Sequence, residues 1–368
     1  MSSTIGEHAG SQPPVSGRTC DAGPGDAAPT DEERAAAAAV LRMIWGMHVS
    51  RAIYAAAELG IADRLADGPA SSAELARDTG AHEPSLYRIL RLLAALGIFT
   101  EAPSRSFSLT ILGDRMRSGA PASMRSWALL HGTVGGCQPF EHILHTVKTG
   151  QPGFETAHGM SLFEFLAQHP GDAAVFDAAM ADRTAAFAPS VAAGYDFSDI
   201  RTIVDVGGGQ GILLAAILHG HPHLQGTLFE LPAVAVGAKT VLAAAGISNR
   251  CEVAAGDFFQ NVPAGADCYL LANVLHDWDD TKAARILANC RNAATRHGRI
   301  LIIERLIPDD PAEAVPVLLS DLNMLVISPR GRERTNNEYR HLLHTAGLRP
   351  GIIRPVTFPY GIIEGQPT

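Results

Sequence analysis

The sequence predicts an α/β fold, a mostly parallel, doubly wound sheet preceded by a helical domain of winged-helix type. Three observations carry this. After Tyr195, short apolar runs alternate with helical patterns, the order that buries a parallel sheet beneath helices on both faces. One of these runs, Thr202 to Val206, holds an acid near its end and passes through a glycine cluster into a helix. Upstream, a capping-box helix, a second helix and two short strand-like runs follow one another as helix, helix and wing.

The chain has 368 residues, 46% of them hydrophobic, enough for two cores. Its formal net charge of −9 argues against a broad nucleic-acid footprint, which needs a concentrated basic surface. Five cysteines (Cys20, Cys137, Cys251, Cys268 and Cys290) are scattered without a Cys-x-x-Cys pair, which suits reduced thiols and gives no structural zinc site. No apolar run reaches the roughly 18 to 20 residues of a membrane span, and no signal-peptide order opens the chain. A cytoplasmic protein without membrane contact is expected.

Residues 1–30 are rich in Gly, Pro, Ser and Ala and read as a disordered tail. A helical winged-helix domain is expected over 31–190. Within it, Ser71-Ser-Ala-Glu74 opens a short helix ending near Gly80, and a second helix runs from Pro84 to Gly97. Ile98 to Thr100 and Phe107 to Leu109 read as the wing, and further helices continue to about Pro189. The sheet domain is expected over 191–368. Its parallel strands are Thr202 to Val206, Gly226 to Leu231, Cys251 to Ala255, Cys268 to Val274 and Arg299 to Arg305, with helices Val315 to Ile327 and Thr335 to Gly347 before the last strands.

The glycine loop sorts the ligand. A dinucleotide fingerprint wants Gly-x-Gly-x-x-Gly, but Gly207, Gly209 and Gly211 give Gly-x-Gly-x-Gly, with Ile212 where the third dinucleotide glycine would fall. Asp205, at the carboxyl end of its strand, would repel a pyrophosphate and suits a ligand bearing an ammonium group, such as S-adenosyl-L-methionine. Glu230 ends the second strand, where an acid can accept hydrogen bonds from both ribose hydroxyls. Gly256-Asp257-Phe258-Phe259 closes the third, where Asp257 can receive an adenine amino group and Phe258 can cover the ring.

The densest cluster, Asn273-Val-Leu-His-Asp-Trp-Asp-Asp280, follows the fourth strand and places His276 beyond the carboxyl ends of the strands, where open parallel sheets bind ligands. A neutral imidazole there can take a proton from a substrate hydroxyl near neutral pH. Glu304 and Glu333 are the two acids that can orient it, and either can instead pair with Arg305, Arg332 or Arg334. No His/Cys/Asp cluster with ligand spacing is visible near the site, so no metal is expected.

Together these residues resemble the plant-type small-molecule O-methyltransferases (caffeic acid and hydroxyindole type) and their bacterial natural-product relatives. The motifs are Asp205-Val-Gly-Gly-Gly-x-Gly211, Phe229-Glu-Leu-Pro232, Gly256-Asp-Phe-Phe259, Leu275-His-Asp-Trp278, Ile303-Glu304 and Gly331-Arg-Glu-Arg-Thr335, over about residues 35–365. The resemblance implies a class I methyltransferase fold with an N-terminal winged-helix dimerisation domain, a homodimer, and metal-free use of S-adenosyl-L-methionine, leaving S-adenosyl-L-homocysteine. It implies His276 as general base held by Glu304 and Glu333. The cofactor set expected on both grounds is Asp205, Gly207, Gly209, Glu230, Leu231, Gly256, Asp257, Phe258, Asn273 and Trp278. Ala272 and Ser328 depart from the plant pattern, which often has Lys and Asn there.

The expected activity is O-methylation of an aromatic secondary metabolite. Trp127, His131, Phe163, Phe176, Met180, Asn323, Met324 and Ile327 suit a flat apolar ring, although the same positions also suit a core. The rival within the fold is an N-methyltransferase or a member with altered cofactor chemistry. The rival outside it is a regulator that senses the cofactor. Against that, the second helix of the winged-helix pair offers only Arg88 and Arg91 among Leu, Ile and Ala, a surface suited to a partner chain and not to phosphates.

Overall fold

The computed structural model describes residues 28–328 and 330–368. All but the last three residues of the expected tail, and Cys20, lie outside the described residues. The chain divides at His48/Val49. In the first unit, Thr30 caps helix Asp31–Ile44 in a reciprocal capping box with Glu33, and Val40, Met43, Ile44 and Trp45 are exposed.

The second unit begins with the winged-helix elements. Strands β1 (Ala70–Ser71), β2 (Phe99–Ala102) and β3 (Ser106–Leu109) form an antiparallel sheet in the order β1-β3-β2, one strand more than the periodicity predicts. Ser71 caps helix Ser72–Thr79 with Glu74 closing the box, and Gly80 ends that helix in the left-handed region. Helix Glu83–Ala95 follows. Leu75, Leu86, Leu90 and Leu93 lock the two helices onto Phe99 and Phe107 of the wing.

The large sheet comprises β4 (Thr202–Val206), β5 (Gln225–Glu230), β6 (Cys251–Ala255), β7 (Cys268–Ala272), β8 (Arg299–Ile307), β9 (Arg334–Thr335), β10 (Leu348–Pro355) and β11 (Tyr360–Pro367). The order is β6-β5-β4-β7-β8-β11-β10, with β9 pairing with β8. From β6 to β8 all neighbours are parallel, whereas β11 and β10 run antiparallel. Alternation along the strands feeds two cores. Cys268, Leu270, Leu301 and Ile303 face one side, and Tyr269, Leu271, Ile300 and Ile302 face the other. Strand order reverses between β4 and β7, which makes this edge the switch point where ligands bind.

One boundary differs from expectation. The helices do not stop at Pro189, because Pro170–Gly194 is a single helix that contains this proline. Its last turns bury Phe187, Ala188 and Val191 with Leu213, Leu214 and Ile217 of helix Ile212–Gly220, and that burial outweighs one missing backbone hydrogen bond. The break expected at 190 therefore falls inside a helix.

Candidate active site

The five parallel strands deliver a row of polar groups to one edge. β4 ends at Asp205-Val206, β5 at Glu230, and β6 runs into Gly256-Asp257. β7 runs into Asn273, and β8 carries Glu304. Gly207 and Gly209 adopt φ of 70° and 58°, which a side chain would strain. Gly208 is needed for space, since a Cβ there would stand 2.4 Å from Asp205 Oδ2 and 2.5 Å from Leu228 Cδ1.

That tight turn seals Asp205. It is fully buried, and neither carboxylate oxygen has a hydrogen-bond partner. Burial, with the nearby Glu230 charge, pushes its pKa up to about 7. A buried carboxylate of this kind is costly unless a cation arrives to pair with it, so the site fits the ammonium of a methionyl group. Glu230 is pre-oriented, accepting hydrogen bonds from the amides of Gly209 (3.0 Å) and Leu231 (2.6 Å), and burial again raises its pKa. Each oxygen keeps lone pairs for ribose hydroxyls.

The turn after β6 is lined by aromatic rings. Asp257 accepts from the Phe259 amide at 2.8 Å, and Trp278 meets Phe259 edge-on with centroids 4.7 Å apart. Phe258 packs edge-on to the same indole at 6.2 Å. Asn273 sits in the left-handed region with φ 53°, and its buried Oδ1 is unpartnered. Leu231 stands half exposed at the rim.

His276 lies in a single 3-10 turn, Leu275–Asp277, and is 4% exposed. Glu304 builds that turn. Its Oε1 accepts from the amides of Val274 (3.0 Å), Leu275 (2.9 Å) and His276 (3.3 Å). Its Oε2 stands 3.1 Å from His276 Nδ1, although the ring N–H is not aimed squarely at it. Glu333 Oε2 is farther, at 3.8 Å, and Asp277 Oδ1 is 3.5 Å from Nε2. Burial lowers the imidazole pKa, but the charges of Glu304, Asp277 and Glu333 outweigh it and the net shift is upward. For Glu304 burial pushes up, yet His276 and the donated amides bring the carboxyl below its ordinary value.

Both acids singled out in the sequence thus converge on the imidazole, with Glu304 the closer. The alternative ion pairs divide. Arg305 does approach Glu333, at 3.5 Å, and Ser320 donates to it at 2.7 Å. Arg334 pairs with neither acid. Fully buried, it donates to the carbonyls of Leu275 (2.9 Å) and Trp278 (2.7 Å) and to Asp280. It therefore clamps both ends of the His276 turn.

The expectation that no ligand-spaced cluster exists near the site is corrected. One ligand-type atom each from His276, Glu304 and Glu333 lies within 4.8 Å of the others. The acids are 28 and 57 positions from the histidine, so only the fold unites them. Their chemistry is poor for a cation, because three amides share Glu304 and a guanidinium already faces Glu333.

Arg305 and Ser320, the two contacts of Glu333, also line a cavity of about 750 Å³. Of the residues expected to line a substrate pocket, Trp127, His131 and Asn323 are in its wall. Phe163, Phe176, Met180, Met324 and Ile327 are not. Phe163 is 61% exposed because its neighbour Phe165, two positions on in the same short helix, takes the inward face against Phe154 and His169. Met324 is buried. The sequence reading missed Phe140, Phe187, Tyr360, Arg183 and Arg305 in the wall. The usable signal was Arg183, the one basic residue of the Ala-rich helix Pro170–Gly194.

The chain is similar to known proteins along most of its length. The O-methyltransferase domain family matches residues 140–349, and the O-methyltransferase dimerisation domain family matches residues 41–118. The chain is 42% identical over 328 residues to phenazine O-methyltransferase PhzM of Lysobacter antibioticus, covering 89% of this chain and 95% of that protein. It is 39% identical to the mitomycin biosynthesis 6-O-methyltransferase of Streptomyces lavendulae, over 87% of this chain and 91% of that one. Among solved structures it resembles the O-methyltransferase NcsB1 from neocarzinostatin biosynthesis, in complex with S-adenosyl-L-homocysteine and 1,4-dihydroxy-2-naphthoic acid. The TM-score is 0.76 at 36% identity, covering 89% of this chain and 98% of that chain.

Asp205 yields a stability prediction. Its folded pKa of about 7 lies above the unfolded value of about 3.9, so the native state holds the proton more tightly. Its contribution is full below pH ~4 and is lost as pH rises toward 7. Asp205→Asn should therefore gain stability relative to wild type between pH 5 and pH 8 in urea melts without cofactor, while binding S-adenosyl-L-methionine more weakly. A wild-type-minus-variant difference that does not move with pH would refute an unpaired Asp205.

Proposed function

We propose that this chain, which belongs to the O-methyltransferase family and carries both its dimerisation and its catalytic domains, methylates a hydroxyl of an aromatic secondary metabolite, with His276 as general base. The observation that carries the reading is His276 itself, buried beside Glu304 in the turn that follows β7, with Glu333 joining this cluster to Arg305 and Ser320 in the cavity wall. S-adenosyl-L-methionine, when bound, supplies a methyl group on a sulfonium that is already a good leaving group.

The residues then have separable tasks. Asp205 offers its unpaired carboxylate to the ammonium, Glu230 its two oxygens to the ribose, and Asp257 with Phe258, Leu231 and Trp278 encloses the adenine. Gly207, Gly209 and Gly256 let the backbone approach. Glu304 at Nδ1 favours the tautomer that leaves Nε2 free to accept the proton of the acceptor hydroxyl, and the three nearby carboxylates stabilise the imidazolium that forms. Trp127, His131, Asn323 and the aromatic rings of Phe140, Phe187 and Tyr360 hold a flat acceptor. Alignment of methyl and oxygen supplies much of the remaining acceleration.

The same reading makes the enzyme a cytoplasmic homodimer. No helix among the described residues is long and apolar enough to cross a membrane. Val315, Leu318, Leu319, Leu322 and Leu325 make an exposed apolar groove on helix Pro311–Ile327, and Val40, Met43, Ile44 and Trp45 are exposed in the N-terminal unit. Such surface suits a second copy better than water or nucleic acid. Light scattering should give twice the 38.8 kDa chain mass, and a monomer at micromolar concentration would contradict this.

Turnover should survive a chelator, because Arg305 beside Glu333 supplies the positive charge a metal would bring. Loss of activity restored by a divalent ion would show that the His276, Glu304 and Glu333 cluster binds one.

His276 sets the pH profile. The base works unprotonated and its pKa is raised, so kcat/KM should climb with pH and level off above the ordinary imidazole range. Glu304→Gln removes the largest raising charge and should move that limb to lower pH. His276→Ala should cost about 10²- to 10⁴-fold near pH 7 with cofactor binding retained. Part of the rate should return toward pH 10, where phenols ionise unaided. An unchanged limb in the alanine variant would remove His276 from this role.

A further inference from the structure

Two guanidinium groups line the cavity, and they are in different situations. Arg305 approaches Glu333 at 3.5 Å and lies over the Tyr360 ring, 5.2 Å from its centroid. Arg183 makes no ion pair or hydrogen bond among the described residues, and its Nε is buried and unpartnered. Burial pulls its pKa down, and Arg305 adds repulsion, while Tyr360, Asp277 and Glu304 act in its favour. None of these acids stands within ion-pair distance of it. Glu304 already serves three amides and the imidazole, and Asp277 stands 3.5 Å from His276. Asp182, its neighbour in the chain, also borders the cavity but makes no ion pair with it.

A guanidinium held in a cavity wall with a buried, unpartnered Nε is costly, and it has the same remedy as the unpaired carboxylate of Asp205, a ligand of opposite charge. Arginine matches a carboxylate in particular, through two parallel N–H donors. The cavity also places it. Arg183 shares the wall with Trp127, His131 and Asn323, and none of Asp205, Gly207, Gly209, Glu230 or Asp257 lines it. The anion it awaits therefore sits on the methyl acceptor and not on the cofactor.

We propose that the acceptor is a hydroxylated aromatic carboxylic acid whose carboxylate pairs with Arg183, which thereby selects the substrate and turns its hydroxyl toward His276. This rests on the reading of the cavity as the acceptor site of a methyltransferase. Arg183 is then a specificity residue, and a neutral phenol of equal size binds poorly because it leaves the guanidinium unpaired.

The test uses the full-length protein loaded with S-adenosyl-L-homocysteine, and compares 1-hydroxy-2-naphthoic acid and salicylic acid with their methyl esters by calorimetry. Wild type should bind the acids about 10- to 100-fold more tightly than the esters, the range of a charge-assisted hydrogen bond lost from a buried site. Arg183→Met should bring acid and ester level, Arg183→Lys should keep part of the preference, and affinity for S-adenosyl-L-homocysteine should be the same in all three. If Arg183→Met does not fold, the wild-type comparison still decides. Equal binding of acid and ester, or binding of neither, overturns the proposal. So does an Arg183→Met variant that keeps the acid preference and loses S-adenosyl-L-homocysteine, because the partner would then be the cofactor. A wild-type protein that methylates neutral phenols and ignores the acids sinks this proposal alone, whereas one that neither binds S-adenosyl-L-homocysteine nor methylates any hydroxyl sinks the methyltransferase reading with it.

Discussion

The carboxylate of Glu304 is the contact on which the site depends. One oxygen gathers the amides of Val274, Leu275 and His276 into a tight turn, and the other faces the imidazole that this turn presents. A single buried charge thus shapes the backbone and faces the imidazole. Replacing it with an apolar group would leave three buried N–H donors without an acceptor, so the turn would loosen before any chemistry was lost. Arg334 completes the frame from the opposite side by holding the carbonyls of Leu275 and Trp278. Donors inside the turn go to an acid, and acceptors at its ends go to a base.

Two buried acids at the carboxyl edge of the same sheet have opposite environments. Glu304 is supplied with donors and is held below the ordinary carboxyl range, whereas Asp205 has none and is pushed up to about 7. The difference marks one as satisfied by the protein's own framework and the other as left without a protein partner. Arg183 repeats the pattern with the other sign, in the cavity wall. Polar groups that the fold buries and then leaves unpartnered outline the ligand more sharply than the cavity's apolar walls do, because apolar walls serve equally well as core.

Legibility followed the locality of the signal. The glycine turn, the capping box of Ser71 and Glu74, and the strands Thr202–Val206 and Cys251–Ala255 each depend on a few adjacent residues and stood where the pattern put them. The end of the long helix did not, because Pro189 is a local stop signal overruled by distant packing of Phe187 and Val191. The pocket was least legible. Trp127 and Asn323 reached the cavity, whereas Phe163 turned to solvent because Phe165 took the inward face of the same short helix, a choice set by the distant packing of that helix.

By itself the sequence determined the alternation of strand and helix, the ligand-approach loop after β4, and the acids and histidine that chemistry at the strand ends requires. These follow from residue type and short-range spacing, which set backbone conformation and the face a side chain takes. Only the tertiary structure decided that Glu304 outranks Glu333 at the imidazole, that Arg334 is a clamp while Arg305 faces Glu333, and that Arg183 enters the cavity unpaired. Electrostatic partnership depends on distances of 3 to 4 Å between groups tens of residues apart, and those distances do not exist until the sheet brings its strand ends together.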